Sequence, residues 1–272
     1  MSEPQGLDSF YTHDPLNHND YIRLIRVPPK ETTRDAATQI AVDIQTVPFQ
    51  HAPPYTALSY VWGPPEIYKT ISILGRQFSV RVNLWDFLDC VQQSESLNYI
   101  WVDALCIDQS CTTERNHQVA LMGQIYSRAS VIVAWLGAGP SELVQAFGEL
   151  ALMRPAETVE QFDCNRALIR RFGPTFRECN YWRRAWVVQE YVLAQHVEFW
   201  CGQERMEVGT QELCARMLWN TVFDSDTGIH DLVRLRQARQ CEQDAPKDMY
   251  ELLSSLSMHL RKCADTRRAA QK

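Results

Sequence analysis

Two acidic residues lie in segments that are otherwise apolar. Asp103 interrupts the run Tyr99–Leu105 (YIWVDAL), and Glu190 lies in Tyr181–Ala194 (YWRRAWVVQEYVLA). A carboxylate in such surroundings is costly unless it is paired, hydrogen-bonded or functional. One interpretation is structural: Asp103 would accept backbone N–H groups of the next loop, and Glu190 would pair with an arginine. The other is that both carboxylates face a crevice and do chemistry there, which makes them candidate catalytic residues.

The neighbours of Glu190 suit either role. With a helical repeat of about 100° per residue, Arg183, Trp186, Val187 and Glu190 share one stripe. Arg183 and the adjacent Arg184 are candidate cations for a structural ion pair. In the chemical interpretation, Arg183 would neutralise a charged substrate group, and Trp186, Trp62 or Tyr60 would stack on a substrate ring.

A second group of candidates follows from where the predicted strands end. In an open parallel sheet, ligands bind outside the carboxyl ends of the strands. Three predicted strands end here in polar, aromatic or glycine residues: at Ser59–Gly63 (SYVWG), at Asp103 and at Trp135–Gly139 (WLGAG). The candidate substrate-binding residues at this edge are Ser59, Tyr60, Trp62 and Gly63. As alternatives, Trp62 and Trp135 would be core residues, and Gly63 would only turn the chain.

The elements that would position these residues alternate between strands and helices. Apolar or alternating runs predict strands at 21–27, 40–47, 56–62, 70–74, 78–82, 99–105 and 131–136. Helical spacing predicts helices at 84–93, 114–129 and 142–153. This order predicts an α/β fold with a central, mainly parallel sheet flanked by helices. The strands at 70–74 and 78–82 add a β-hairpin with a turn at Gly75-Arg76.

The remainder is predicted to be a helical C-terminal half. Its helices are expected at 160–172, 182–194, 210–223, 231–243 and 247–263, with a short β pair at 197–200 and 206–208. No internal repeat and no linker rich in Pro, Gly or Ser divides the sequence. We therefore expect a flexible N-terminal leader at 1–20, a single domain at 21–265 and a C-terminal tail at 266–272.

Composition and charge exclude several classes of protein. The 272 residues are 45% hydrophobic and 22% charged, which is ordinary for a globular chain and excludes a fibrous or disordered protein. The net charge of −6, without a long basic stripe, argues against a nucleic-acid partner. No apolar stretch approaches the roughly 20 residues of a membrane span, and the polar residues 1–20 do not resemble a secretory signal. We expect a cytoplasmic protein.

Common metal and nucleophile motifs are missing from the sequence. Nine cysteines are scattered without a CxxC pair, which favours free buried thiols in a reducing compartment over a zinc site. The seven histidines show no HxxxH spacing, and no P-loop or GxGxxG motif occurs. Cys106 follows Asp103 closely, but no histidine nearby in sequence would activate its thiol. We expect no metal and no bound cofactor.

Several motifs, taken in order, resemble the fungal heterokaryon incompatibility (HET) domain, over about residues 20–265. They are Tyr55–Gly63 (YTALSYVWG), Trp101–Gln109 (WVDALCIDQ), Glu114-Arg115 with the apolar face of the following helix, Val131–Gly137 (VIVAWLG), Tyr181–Ala194 and Cys201-Gly202. Two positions depart from the pattern. The family more often has Asn at the position of Asp108, and its C-terminal Pro-Arg-Asp motif has only a loose counterpart at Asp265–Arg268.

The resemblance implies an effector of programmed cell death that acts when genetically different fungal cells fuse, or in related self/non-self recognition and innate immunity. It also implies a sensor protein or domain as partner and homo-oligomerisation on activation. HET domains are in turn remotely similar to TIR domains, which implies a TIR-like or flavodoxin-like sheet. Segment Trp182–Glu190 is similar to the TIR helix that carries the catalytic glutamate of NAD-cleaving members, and Asp103 falls near the end of a TIR-like strand.

Two mechanisms fit these expectations. The first is hydrolysis of NAD, or a similar nucleotide, at the nicotinamide–ribose bond. Neutral nicotinamide leaves without a general acid, so Glu190 would stabilise the oxocarbenium-like ribose, and Asp103 would orient a ribose or the attacking water. The alternative is a non-enzymatic signalling module that kills by assembly or partner recruitment, with Glu190 as a buried structural partner. A Glu190 held tightly against an arginine would favour the alternative.

Overall fold

The computed structural model describes residues 10–16, 20–29, 40–94, 97–152, 158–177, 179–184, 186–207 and Arg236. These residues fall into two compact units. The first unit takes its described residues from 1–58 and 62–122, and the second takes them from 59–61 and 123–272. None of the described helices is long and apolar enough to cross a membrane.

The first unit contains a mixed sheet. Its strands are β1 (Tyr21–Arg26), β2 (Ala41–Pro48), most of β3 (Thr56–Tyr60), β4 (Tyr68–Ile73), β5 (Arg76–Arg81) and β6 (Ile100–Trp101). Their order is β5-β4-β2-β1-β6-β3. Strands β2/β4 and β3/β6 pair in parallel, whereas β1 is antiparallel to both β2 and β6. The helices are α1 (Val82–Ser94), α2 (Asp103–Cys106) and the first part of α3 (Thr112–Arg128).

The second unit contains the end of β3, followed in the sheet by β7 (Val131–Trp135), β8 (Val197–Cys201) and β9 (Glu204–Glu207). Strands β7/β8 are parallel and β8/β9 antiparallel. Helices α4 (Ser141–Ala151) and α5 (Val159–Arg177) precede a 3₁₀ turn at Asn180–Arg183 and a π-helix at Val188–Val192. Strand β7 is buried at four of its five positions, as its continuous apolar run requires.

The α/β class predicted from the sequence is confirmed, with a sheet that is mixed. The β-hairpin is confirmed as well, but the turn predicted at Gly75-Arg76 lies one residue earlier, at Leu74 (φ 49°) and Gly75 (φ 79°). This tight two-residue turn requires positive φ at both positions. The strand predicted at 99–105 ends at Trp101, because Asp103 begins α2 and its carboxylate accepts the N–H of Ala104. The helices predicted at 210–223, 231–243 and 247–263 lie outside the described residues, apart from Arg236.

The single helix predicted at 182–194 is wrong. The chain instead forms the 3₁₀ turn, passes through an extended Arg184 (ψ 134°), and then enters the π-helix. In a continuous α-helix, Arg184 and Glu190 would point about 120° apart around the axis, nearly two turns from each other, and could not meet. The interruption at Arg184 allows its guanidinium to reach the Glu190 carboxylate. The shared stripe of Arg183, Trp186, Val187 and Glu190 is lost, since the first two are exposed and the last two buried.

Candidate functional site

The Glu190 carboxylate lies fully buried in the second unit and is bound by an arginine. Both terminal nitrogens of Arg184 donate to it: Nη1 to Oε2 at 2.7 Å and Nη2 to Oε1 at 2.7 Å. This two-pronged geometry is the strongest form of arginine–carboxylate pairing. The Arg184 side chain keeps 18% of its surface exposed, so the pair reaches solvent on the arginine side only.

Three hydroxyl groups complete the polar cluster around this ion pair. Ser59 Oγ, at the end of β3, donates to Glu190 Oε2 and lies 2.7 Å from the hydroxyl of Tyr181. Arg184 Nη1 also donates to Ser59 Oγ, at 3.2 Å. Tyr126, near the end of α3, places its hydroxyl 3.5 Å from Glu190 Oε1. We refer to Ser59, Tyr126, Tyr181, Arg184 and Glu190 as the Glu190 cluster.

The charge states within the cluster follow from this packing. Burial opposes a charge on Arg184, but the adjacent, hydrogen-bonded Glu190 carboxylate outweighs it and raises the pKa of the guanidinium above its ordinary value. Burial, reinforced by the negative charge of Glu190, raises the pKa of the Tyr181 hydroxyl. Arg184 is therefore charged and Tyr181 neutral at any physiological pH. Around them, the rings of Trp182, Tyr191 and Phe199 pack together and exclude water.

What the cluster can do chemically is limited by these contacts. A carboxylate has about four acceptor positions, and here they face two guanidinium nitrogens and two hydroxyls. To approach an oxocarbenium-like ribose, Glu190 would first have to release Arg184. The geometry thus agrees with the structural interpretation of Glu190, with Arg184 rather than Arg183 as its partner.

Asp103 belongs to a different group, in the first unit. Its Oδ2 accepts the indole N–H of Trp62 at 2.9 Å, and its Oδ1 accepts the N–H of Ala104 at 2.8 Å. The guanidinium of Arg81 lies 5.1 Å from the centre of the Trp62 ring and donates to the carbonyl of Gly63 at 3.0 Å. Trp62 is thus a half-buried ring held between a carboxylate and a cation. Asp103 does accept a backbone N–H, as its structural interpretation expected.

The predicted site residues are therefore distributed over two groups. Ser59 and Glu190 touch in the second unit, where Tyr60 is a buried strand residue. Trp62, Gly63 and Asp103 lie together in the first unit, where Gly63 (φ 80°) turns the chain. Arg183 is exposed on the 3₁₀ turn, and 38% of the Trp186 surface is exposed. Trp135 is a core residue.

Two members of the Glu190 cluster were not found from the sequence. In the sequence, Tyr126 lies within the predicted helix 114–129, and Tyr181 begins the segment Tyr181–Ala194, with no sign that either contacts Glu190. Their hydroxyls meet Glu190 or Ser59 across 64 and 122 positions of chain. A tyrosine beside a buried carboxylate is a weak signal that could have suggested a hydroxyl partner, because buried tyrosines bond their O–H groups.

A second buried arginine was also not anticipated. Arg23, only 2% exposed, donates through Nη1 to Glu114 Oε1 at 2.5 Å and through Nη2 to Glu114 Oε2 at 3.0 Å. It also bonds the carbonyls of Cys106 (2.9 Å) and Asp14 (2.6 Å). Glu114 accepts the N–H of Asp108 as well, at 2.8 Å. This Arg23 cluster ties β1, α3, the loop after α2 and the N-terminal segment into the first unit.

The thiol of Cys106 is not activated. Burial raises its pKa to about 12, despite a hydrogen bond from the N–H of Val102 and the nearby charge of Arg23. The thiol therefore stays protonated near neutral pH and is a poor nucleophile. Among the described residues, no three His, Cys, Asp or Glu side chains are grouped so that they could hold a metal ion.

Comparison with known proteins places this arrangement in a family. The family model described as heterokaryon incompatibility protein (HET) matches residues 55–190, half of the chain, from the start of β3 to Glu190. The chain belongs to the HET family. The matched span contains Ser59, Tyr126, Tyr181, Arg184 and Glu190, so the whole Glu190 cluster is part of the HET region.

Two fungal relatives extend the similarity. The chain is 28% identical to heterokaryon incompatibility protein 6, OR allele, of Neurospora crassa, over 72% of this chain and 35% of that protein. It is 25% identical to vegetative incompatibility protein HET-E-1 of Podospora anserina, over 84% of this chain and 16% of that protein. This HET chain thus spans about a third and a sixth of the relatives it matches. No solved structure matches it.

Proposed function

We propose that this chain is the effector domain of a heterokaryon incompatibility response, in which recognition of non-self ends in cell death. Membership of the HET family and similarity to two incompatibility proteins support this role. Within it, we propose that the domain acts in the cytoplasm without catalysing a reaction, by assembling with further copies or by recruiting a partner such as a sensor protein.

One observation carries the choice of mechanism. The Glu190 carboxylate is fully buried, and both of its oxygens are bound by Arg184, with Ser59 and Tyr126 adding hydroxyl contacts. Burying a charged pair without these bonds would be very costly, so the contacts account for the glutamate without a substrate. Glu190 then maintains the fold of the segment that leads from α5 to β8.

A partner would find a suitable contact point on this same segment. Trp186 exposes 38% of its surface, and Arg183 is exposed three residues earlier. Tryptophan and arginine are the residue types most enriched at the energetic centres of protein interfaces. The buried Glu190 cluster would hold the Trp186 segment in a fixed conformation, which reduces the ordering cost of association.

For Trp186, we expect replacement by alanine to weaken assembly or partner binding at least tenfold, as the loss of an interface centre does. Cell death on expression of Trp186→Ala should fall in parallel, without a change in melting temperature. Tyr68→Ala is the matched control, because Tyr68 is an exposed aromatic residue on β4 of the first unit, with 54% of its surface accessible. Equal binding and equal killing by the two variants would contradict a contact role for Trp186.

NAD hydrolysis is the second candidate function, and a specific feature favours it. Glu190 lies on a π-helix, and such interruptions of regular helix are frequent at functional sites. Arg184 is partly exposed, so a move toward solvent would leave Glu190 with the hydroxyls of Ser59 and Tyr126. In this second proposal the strands that pair in parallel are TIR-like in their arrangement, and NAD or a related nucleotide is a substrate rather than a bound cofactor.

Nicotinamide release from NAD by the purified chain separates the two candidates. On the assembly proposal we expect wild type, Glu190→Gln and the exposed control Glu207→Gln to release nicotinamide at the same background rate. Chromatography of the reaction products over time gives the rates. Release by wild type that falls about 10²–10³-fold in Glu190→Gln alone would establish the hydrolase and overturn our first choice.

A further inference from the structure

Arg236 is a buried arginine that lies beyond β9 and outside the HET-matched span. Only 1% of its surface is exposed, and its hydrogen-bonding partners lie 41 to 45 positions earlier in the sequence. Its guanidinium donates to the carbonyl oxygens of Tyr191 (2.6 Å) and Ala194 (2.9 Å) through Nη1, and of Gln195 (3.1 Å) through Nη2. It also lies 5.3 Å from the centre of the Tyr191 ring.

These acceptors are located where the π-helix ends. The helix covers Val188–Val192, and Leu193 still donates its N–H to the carbonyl of Gln189. The last carbonyls of a helix have no partner within the helix and carry partial negative charge. Of the three acceptors, Tyr191 belongs to the helix, and Ala194 and Gln195 follow its C-cap Leu193. The buried guanidinium therefore satisfies one helix carbonyl, complements the charge at the helix end, and fixes the two residues that follow.

Glu190 lies one residue before the first of these acceptors. The Arg236 bonds therefore act on the backbone that holds the Glu190 carboxylate against Arg184 and Ser59. A shift of that backbone by one residue would turn Glu190 away from the cluster, since successive helix positions differ by about 100°.

We propose that Arg236 is a positioning residue, whose bonds set the conformation of the π-helix and so of the Glu190 cluster. Loss of these bonds would loosen the cluster from a position outside the HET-matched span. The proposal does not depend on whether the domain acts by assembly or by hydrolysis.

Hydrogen exchange of the full chain tests this role. In Arg236→Met we expect the amides of Glu190 and Leu193 to exchange about tenfold faster or more, because the charge and bonds at the helix end are lost. Arg205→Met is the matched control: Arg205 also stacks on an aromatic ring, that of Trp200 at 4.0 Å, but lies exposed on β9. In the control, the exchange of Glu190 and Leu193 should not change.

Two further measurements separate positioning from general support. Arg236→Lys keeps a cationic donor at the helix end, so it should restore a substantial part of the protection of the Glu190 and Leu193 amides against exchange. If Arg236→Met fails to fold, Arg236→Lys is the variant to compare with wild type. In a Glu190→Gln background, Arg236→Met should change the unfolding equilibrium constant by a factor at least severalfold smaller than it does in wild type, because both residues act through the same helix. Two results would overturn the proposal. One is a uniform rise in amide exchange rates across the second unit. The other is a double variant whose unfolding equilibrium constant changes by the product of the two single changes.

Discussion

Replacing Glu190 by glutamine is expected to lower the free energy of unfolding by about 3–5 kcal/mol, because it leaves the buried Arg184 charge without its partner. The contacts that set this magnitude are two guanidinium bonds of 2.7 Å and the Ser59 hydroxyl, around a carboxylate with no exposed surface. Urea unfolding of the full chain, followed by circular dichroism, measures the change.

Matched variants show whether the loss comes from the pair. Glu207→Gln removes an exposed carboxylate from β9 and should change the stability by less than about 0.5 kcal/mol. The double variant Arg184→Met, Glu190→Leu removes both charges and should recover much of the loss, since a buried pair can be replaced by apolar side chains at little cost. A Glu190→Gln protein as stable as wild type, or more stable, would instead be typical of a catalytic carboxylate and would contradict the structural role.

Replacing Arg23 by methionine is expected to have a comparable effect on the first unit, again about 3–5 kcal/mol. The substitution leaves the Glu114 carboxylate and the carbonyls of Cys106 and Asp14 without their cationic donor in a buried environment. Arg26→Met is the control, because Arg26 is an exposed neighbour on the same strand whose guanidinium lies over the ring of Tyr99.

The same experiment repeated across pH identifies the partner. Burial tends to raise the pKa of Glu114, but the hydrogen bonds from Arg23 and from the N–H of Asp108, with the charge of Arg23, lower it below its usual value. A group whose pKa is lower in the folded state stabilises above its unfolded pKa, and that stability is lost as the pH falls through the folded value. The difference between wild type and Arg23→Met should therefore shrink in acid. A difference independent of pH would contradict the ion pair as its origin.

Some elements of the fold could be predicted from the sequence, whereas the pairing of the strands could not. Strand β7 and the existence of the β4/β5 hairpin were correctly predicted, with the hairpin turn one residue too late, because a continuous apolar run and a Gly-containing turn are local signals. The mixed character of the sheet was not predicted. Strand β1 inserts antiparallel to β6, and which strands become neighbours depends on contacts between distant segments that strand patterns do not encode.

In the candidate site, too, the local sequence predicted part of the arrangement, and tertiary contacts decided the rest. The isolated glutamate in an apolar segment indicated that a buried Glu190 needs a partner or a function, because an unpaired buried charge is too costly. Arg183 and Arg184 were both candidate cations, and a single uninterrupted helix was predicted around them. The observed break at Arg184 is stabilised by the ion pair itself and by Ser59 on another element, so local propensity was overridden by tertiary contacts.

By itself, then, the order of residues determined the α/β class, the membership of the HET family and the need of Glu190 for a partner or a function, since each follows from local pattern or from the cost of burying charge. Only the tertiary structure decided that Arg184 is that partner, and that Tyr126 and Arg236 reach the same short helix from 64 and 45 positions away. The physical reason is that such bonds form between groups that chain folding brings within 3.5 Å, whatever their separation in sequence.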